Sequence, residues 1–413
     1  MPPDLQLTDL PTEILLCIFK LLDTKTLGSL SCCCKRFYEL MLIDLIWINH
    51  SKSVIVCNQL SETVLRRSIK CLRAREKCRI SINWKVGSYD EQCYSTRVKY
   101  MPWLVLERDR LWISRGEKLL GFHRHKGYWK KMLRWQNPSV VLDHVSDVWK
   151  FVVSDENIIS GCLDGSICIW SEDKGILLSK KEKSHGSKAD VRCIDSVRDI
   201  VVSGSNGKTL KVWKLEDGIL GDIPEHNLFL PDSIWSLAIE PHSNTVCCGT
   251  NGLLSSSSLK LFDLESGDVR NFDFGILGVA ISDIKWLSTE TFLTCGFDCI
   301  VKLWDKRVES CVLSWIDPFY ANGYCLATDK LYSVLCGTAQ HGRIQLWDLR
   351  SSVSVQSYFC KSIASSPVYS VSFDPCFVFA GLDTSLNVLN FSGALNQRKD
   401  YKVTWQRLRG YRT

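Results

Sequence analysis

The chain has 413 residues, 45% of them hydrophobic and 23% charged, with a formal net charge of +6 at pH 7. This is the composition of an ordinary folded protein, long enough for one large domain and a smaller one. The charge is too mild to call for a nucleic-acid partner, and no uncharged apolar run approaches roughly 18 residues, so no membrane span is expected. The opening Met1-Pro2-Pro3-Asp4 has neither the basic nor the apolar region of a signal peptide. Twenty cysteines are therefore expected as reduced thiols rather than a disulfide framework, in a cytoplasmic protein with the nucleus also open to it. Most sit singly in apolar strand patterns, as Cys168, Cys193 and Cys325 do, where a thiol serves as a small apolar side chain. No His/Cys cluster has zinc-like spacing, so no metal or other cofactor is expected.

Residues 5–49 read as short helices. Leu10-Pro11-Thr12-Glu13 opens the first, with proline in the first turn and an acid at the positive end. Ile14, Ile18 and Leu22 form one stripe with Leu15 and Phe19 beside it, an amphipathic face. Asp23 caps a second helix carrying Leu27 and Leu30. A third carries Phe37 and Leu40 and ends near Trp47, with Cys32-Cys33-Cys34 on predicted helix, where successive residues point apart. About 40 residues of short helix make a poor core alone, so apolar surface is expected to need a partner. A helix-turn-helix reader is the alternative, but the third helix offers only Lys35 and Arg36 as readers. Residues 50–93 read as a semi-rigid helical connector, from the alternation of apolar and basic residues over Val64–Arg73.

Residues 94–393 repeat. Val201–Gly204 and Thr209–Trp213 flank a Ser/Asn/Gly turn, a β-hairpin signature. The unit returns with closing residues at 170, 213, 262, 304, 347 and 389, spaced 43, 49, 42, 43 and 42 apart, and Trp-Asp survives at Trp304-Asp305 and Trp347-Asp348. A period of about 40–50 residues with that dipeptide marks the four-stranded blade of a β-propeller. Leu104–Leu106, Leu111–Ser114 and Leu119–Phe122 add a degenerate first blade, which makes seven. The fold class is therefore mainly β, a seven-bladed propeller behind an all-α unit and helical linker. A bare last blade would leave an unpaired edge, so Cys93–Lys99 is expected to supply its outer strand, with the basic segment 394–413 as the rival. That tail reads as disordered, or as a short helix on a partner. A loop with Lys126, Lys130, Lys131 and Arg134 among Tyr128, Trp129 and Trp135 reads as solvated, with single-stranded nucleic acid as the alternative. Ser255–Ser258 marks a mobile insertion or a phosphorylation site.

The series Leu10-Pro11, Glu13, Ile14-Leu15, Ile18-Phe19, Leu22, Leu27, Leu30, Lys35-Arg36-Phe37, Leu40 and Trp47 resembles an F-box. Joined to a propeller, and with Asn83-Trp84 and Gly87 ahead of it, it resembles the F-box/WD-repeat substrate receptors. The resemblance implies a non-catalytic subunit of an SCF-type cullin-RING ubiquitin ligase. Its helices would dock on the Skp adaptor, and through it on cullin and RING subunits, while the propeller holds an unknown protein substrate. A scaffold that assembles a complex without ubiquitin transfer is the alternative. The expected adaptor-binding residues are Leu10, Pro11, Ile14, Leu15, Ile18, Phe19 and Leu22. His144, Ser160, Asp164 and Trp170 could be mistaken for a hydrolase triad, but no Gly-x-Ser-x-Gly elbow surrounds Ser160, and the family's blades use that pattern as a structural hydrogen-bonded tetrad. The next blade keeps His185, Ser203 and Trp213 but has Gly207 in the Asp place.

Aligning the first strands of the blades gives a row of Trp149, Arg192, Trp235, Ile284, Tyr324 and Tyr369, with Phe297 and Leu163 at a companion position. In related propellers, arginines in this row grip phosphorylated degrons. One arginine makes no phosphate cluster. The expected target-binding residues are Trp149, Arg192, Trp235, Tyr324, Tyr369 and Phe297, suited to an apolar or aromatic peptide without phosphorylation; burial of some of these aromatics between blades is the alternative.

Overall fold

A computed structural model of the chain describes residues 6–96, 98–124, 137–154, 156–242, 245–254, 257–272, 278–361, 365–393, 398–399 and 401. The basic-aromatic loop around Lys126–Trp135, Ser255, Ser256, Arg97 and the tail beyond Tyr401 lie outside them. The chain divides into two compact units: Met1–Asp90 with Asp374–Phe377 and Asn390–Thr413, and Glu91–Phe373 with Val378–Leu389.

The first unit is helical. Its helices are α1 Thr12–Phe19, α2 Thr24–Leu30, α3 Lys35–Met41, α4 Asp44–Ser51, α5 Glu62–Arg67 and α6 Ala74–Val86. Pro11 is the N-cap of α1 rather than its first turn. Asp23 caps α2 as expected, accepting from Lys25 N and Thr26 N at 2.8 Å each. The third expected helix is two, separated at Leu42-Ile43. The cysteine run is a turn, not helix, and Cys34 Sγ accepts from Phe37 N at the start of α3. Leu15, Phe19, Leu27, Phe37, Met41, Ile46 and Trp47 form the buried side. Phe19 meets Phe37 edge to face at 5.4 Å, and Trp47 Nε1 donates to Met41 O at 2.9 Å.

The connector is less helical than its alternation suggests. Residues 68–73 leave the helix after α5, and the side chain of Gln59 takes over the backbone partners there. Its Nε2 donates to Lys70 O and its Oε1 accepts from Leu72 N, both at 2.8 Å. A buried side-chain amide thus does the work of a helical turn. Gly87 ends α6 at φ +68°, a left-handed cap that suits glycine. Trp84 stacks on Phe391 at 4.0 Å and donates to Pro375 O at 3.0 Å. Asn83 Nδ2 donates to Phe391 O and Gly393 O. The Asn-Trp pair therefore holds distant parts of its own unit together. The described tail residues are not helical: Arg398 bridges Ser88, and Lys399 N donates to Gly87 O.

The second unit is the seven-bladed propeller. Among the described residues there are seven antiparallel sheets, six of four strands and one of five. Blade 1 holds Leu104–Leu106, Arg110–Arg115, Lys118–His123 and Val140–Asp143. Blades 2 to 6 follow in sequence order. Blade 7 joins Val368–Phe373, Phe377–Leu382 and Ser385–Asn390 with Asp90–Ser95 as its outermost strand. The closing strand overlaps the expected Cys93–Lys99 only at Cys93–Ser95, since it begins three residues earlier and ends four residues earlier. Glu91 Oε1 accepts from Asn387 Nδ2 at 2.7 Å, and Thr96 N donates to Thr384 O at 2.7 Å. Leu104 N then donates to Ser370 Oγ at 3.0 Å, which ties blade 1 to blade 7.

Inner strands such as Asn157–Cys162 and Ser333–Thr338 are buried on both faces, whereas the outermost strand Ser310–Ile316 is mostly exposed. Blade packing on both sides explains the continuous apolar runs of the inner strands. The closing residues Trp170, Trp213, Phe262, Trp304, Trp347 and Leu389 are all buried. At the blade 2 turn, Gly165 has φ +83°, and a Cβ there would lie 2.3 Å from Ala189 O, so only glycine fits.

The tetrads are only partly as expected. His144 Nε2 lies 2.8 Å from Ser160 Oγ and accepts from Trp170 Nε1 at 3.1 Å, while Nδ1 faces Leu142 O. The Asp164 carboxylate instead caps the turn, accepting from Ser166 N and Oγ. In blade 3, Thr209 Oγ1 stands 2.6 Å from His185 Nδ1, while Ser203 links His185 Nε2 to Trp213 Nε1. Threonine thereby fills the place the missing Asp leaves. Burial, with Lys211 adding to it, pushes the His185 imidazole down to about 3, so it is neutral and packs rather than titrates.

A chain beginning at residue 101 lacks the closing strand. It should be insoluble or melt far below one beginning at residue 88, measured by thermal denaturation. Equal stability of the two would show that closure does not depend on this strand.

Candidate functional site

One cavity of the propeller unit is lined from all seven blades, and so marks the mouth of its central channel: Trp103 from blade 1, Trp149 and Lys150 from blade 2, Arg192, Trp235, then Ser282 and Phe297, Tyr324 and Tyr369. Its volume is about 200 Å³. A repeated backbone device aims these side chains. The first strand of blades 2, 4, 5, 6 and 7 carries a register shift between Val148/Lys150, Ile234/Ser236, Ile281/Asp283, Gly323/Cys325 and Val368/Ser370. The skipped residues are Trp149, Trp235, Ser282, Tyr324 and Tyr369. A bulge leaves its extra residue unpaired and re-aims its side chain, here into the mouth.

This corrects the blade 5 alignment. Ile284 is buried in a core cluster that includes Trp286 and Phe292, and Ser282 lines the mouth in blade 5. The other expected target residues, Trp149, Arg192, Trp235, Phe297, Tyr324 and Tyr369, come together. They are half-buried or, for Phe297, 37% exposed, not sealed between blades. Trp103 and Lys150 went unrecognised in the sequence. Trp103 precedes the degenerate first strand, and Lys150 follows the residue on which the alignment centred. Leu163 lines a neighbouring cavity with Asp147 and Asp383.

The aromatic side chains form a chain of contacts. Arg192 is held between two indoles, its guanidinium carbon 4.9 Å from the Trp149 ring centre and 5.1 Å from that of Trp235. Trp235 meets Phe297 edge to face at 5.5 Å, Phe297 meets Tyr324 at 5.8 Å, and Tyr324 meets Tyr369 at 5.7 Å. Each cation–π contact is worth about 0.5–2 kcal/mol, more as water is excluded. Lys150 Nζ sits 4.2 Å over Trp103 and reaches Asp283 at 3.7 Å, and Lys285 reaches the same carboxylate at 3.6 Å. Asp283, 2% exposed, also accepts from Leu326 N. Burial raises the Tyr369 phenol above its usual range, with Tyr324 and Asp383 adding to it. Trp149 Nε1 is buried without a hydrogen-bond partner among the described residues.

The helical unit carries the second candidate surface. Leu15 and Phe19, expected on the adaptor face, are 0% exposed and support that face from within. Ile14 is 48% exposed; Leu10, Ile18 and Leu22 are half-buried, and Pro11 is exposed. Leu21, 87% exposed in the turn after α1, Tyr38 on α3, Leu42 and Ile43 between α3 and α4, and Leu45 and Ile48 on α4 add apolar surface that the stripe through Ile14 does not reveal. Arg36, once a candidate base reader, is structural. It donates to Thr8 O and to Leu10 O, the latter at 2.7 Å, and so holds Leu10-Pro11 in place.

One side-chain group departs from the sequence reading. His144, Cys162 and Cys168 place their ligand atoms within 4.8 Å of one another, although their spacing is unlike any zinc motif. Both imidazole nitrogens already have protein partners, so the group fits a hydrogen-bonded core cluster better than a metal centre.

An F-box-like family model matches residues 7–53, and the WD domain, G-beta repeat model matches residues 136–171, 178–214 and 277–305. Those matches fall on the helical unit and on blades of the propeller, and with the relatives below they show that the chain belongs to the F-box/WD-repeat family. Human F-box/WD repeat-containing protein 4 (dactylin) is 32% identical over 92% of this chain and 92% of its own length. The mouse protein of the same name is 31% identical over the same shares. The crystal structure of the computationally designed Ika8 protein is similar over 70% of this chain and 82% of that one, with a TM-score of 0.53 and 21% identity, a likeness of fold alone.

Trp149→Phe keeps a ring over Arg192 and removes the orphaned indole N–H. An unmet buried donor costs about 1–3 kcal/mol, so this variant should melt at or above wild type, and Trp149→Ala well below it. A lower melting temperature for Trp149→Phe would show that the N–H is satisfied.

Proposed function

We propose that the chain is the substrate-recognition subunit of an SCF-type cullin-RING ubiquitin ligase. Its helical unit would dock on the Skp adaptor and its propeller mouth would bind the protein to be ubiquitinated. The observation that carries the proposal is the apolar surface of α1, α3, α4 and the turns that follow α1 and α3. Ile14, Leu21, Tyr38, Leu42, Leu45 and Ile48 are each between 43% and 87% exposed in a small unit that already buries Leu15, Phe19, Phe37 and Trp47. So many exposed large apolar side chains on so small a unit suit a protein interface. Family membership supports the reading, since the F-box-like match covers the same helices.

The chain's chemical contribution would be proximity rather than catalysis. Holding target and ligase on one chain turns transfer into an effectively intramolecular step. The aromatic mouth, with Trp149, Arg192, Trp235, Phe297, Tyr324 and Tyr369, suits a peptide segment recognised by apolar contact and without phosphate. A cytoplasmic location, with access to the nucleus, belongs to the same proposal; all twenty cysteines are unpaired, as reducing compartments keep them.

Ile14→Glu with Leu21→Glu places charge on the exposed face and leaves the buried residues alone. Anchors of this kind cost about 2 kcal/mol or more when lost, so copurification with the Skp adaptor should fall below detection while the melting temperature holds. Leu15→Ala should instead destabilise the unit. Undiminished copurification of the double variant would refute this assignment of the face.

A further inference from the structure

We propose that the channel mouth captures the free C-terminal carboxylate of its target, with the guanidinium of Arg192 as the receiving group. This rests on the reading of the mouth as the target site and names the chemistry it selects.

Arg192 carries the argument. Its two faces are covered by Trp149 and Trp235, which leaves only its edge for a ligand. On that edge, Nε lies 3.9 Å from Asp190 Oδ2, beyond hydrogen-bond length. The other oxygen of that carboxylate, Oδ1, accepts from Asn206 N at 3.0 Å. The side chain is 28% exposed, so the remaining N–H fork reaches solvent. A planar fork fixed by stacking is pre-organised for two parallel bonds to a carboxylate. Its aromatic walls strengthen such a pair by excluding water.

Charge complementarity agrees. Lys150 and Arg192 line the cavity, and none of its lining residues is a carboxylate. Lys150 and Lys285 both stand within 4 Å of the Asp283 carboxylate and Arg192 within 4 Å of Asp190, so what singles out Arg192 is its planar fork beside two indoles. Lys150, Lys285 and Arg192 stand against the two buried carboxylates of Asp283 and Asp190, and the one positive charge left over balances one further carboxylate. A phosphate dianion would leave a second charge desolvated against aromatic rings, which is costly.

Size selects a chain end over an internal acidic residue. At about 200 Å³ the cavity is smaller than the roughly 300 Å³ of a drug-sized site. It admits a terminal residue or two, and the Trp103 ring under Lys150 and Lys285 fills one side. The flanking aromatics would take apolar side chains just ahead of the carboxylate.

The test presents the full chain with random decapeptides in three synthetic forms: free acid, C-terminal amide, and amide with an internal phosphoserine. Bound peptides are sequenced and their affinities measured by fluorescence polarisation. The free-acid pool should be preferred at least tenfold over both amide pools, with apolar residues enriched at the last positions. Arg192→Gln should erase that preference, and Arg192→Lys should retain only part of it, each with the wild-type circular dichroism spectrum. Equal binding of acid and amide pools, lost in Trp235→Ala, would overturn carboxylate capture and leave the mouth as target site. A preference for the phosphoserine pool, or for free acids carrying internal Asp or Glu irrespective of terminus, would also overturn it. Binding of all pools that is indifferent to Trp235→Ala would overturn both this proposal and the reading of the mouth.

Discussion

The propeller depends on one pairing. Seven sheets close into a ring only if the last edge finds a partner, and Asp90–Ser95 supplies it from before the first blade. Without it the strand Ser385–Asn390, buried along its length, would present an open apolar edge, a template for aggregation. The closing strand also sets where blade 1 begins, since Tyr100 N donates to Asp383 O and Leu104 N to Ser370 Oγ. Trp103 is held between those two bonds in the sequence. The position of one mouth residue is therefore a direct consequence of closure.

The mouth follows from the closed ring and the bulges. A regular strand would alternate its side chains between the two faces of its blade, and both faces are buried against neighbours. A bulge breaks that alternation at one residue per strand, freeing it from both faces. Five blades repeat the break at the same place, and the result is an inward row of Trp149, Trp235, Ser282, Tyr324 and Tyr369, four of them aromatic. Arg192 owes its orientation to Trp149 and Trp235, which are themselves placed by bulges in blades 2 and 4. The site is thus a property of the whole ring rather than of one loop, and a target bound there meets side chains that packing already holds.

Much of this was legible in the sequence, because repetition averages over local noise. The terminal Trp residues, the turn glycines and the closing strand all announced themselves by spacing. The row of mouth residues was legible for the same reason, apart from blade 5. There Ile281-Ser282 repeats the apolar-then-mouth order of Val148-Trp149, but the mouth residue is a small serine, and Asp283-Ile284 imitates the same order two residues later. Trp103 and Lys150 were hidden by position, one in a degenerate blade and one beside the aligned column. Amphipathic periodicity found the face of α1 but not which side of it is covered. Leu15 and Phe19 look like Ile14 and Leu22 in sequence, and only the packing of Phe37 against Phe19 separates core from surface. The connector misled through Gln59, whose side-chain amide replaces helical bonds with a pattern no periodicity reveals.

The central claim is that one chain couples an adaptor face to a target-binding mouth so that bound proteins are ubiquitinated. The most direct measurement compares ubiquitinated proteins captured from cells under proteasome inhibition by wild type, by the Ile14→Glu/Leu21→Glu variant and by Trp235→Ala. A shared set of proteins should be captured by the first two but carry ubiquitin only with wild type, and should be absent with Trp235→Ala. Captured proteins whose ubiquitination is indifferent to the helical-face variant would contradict the account and favour a scaffold.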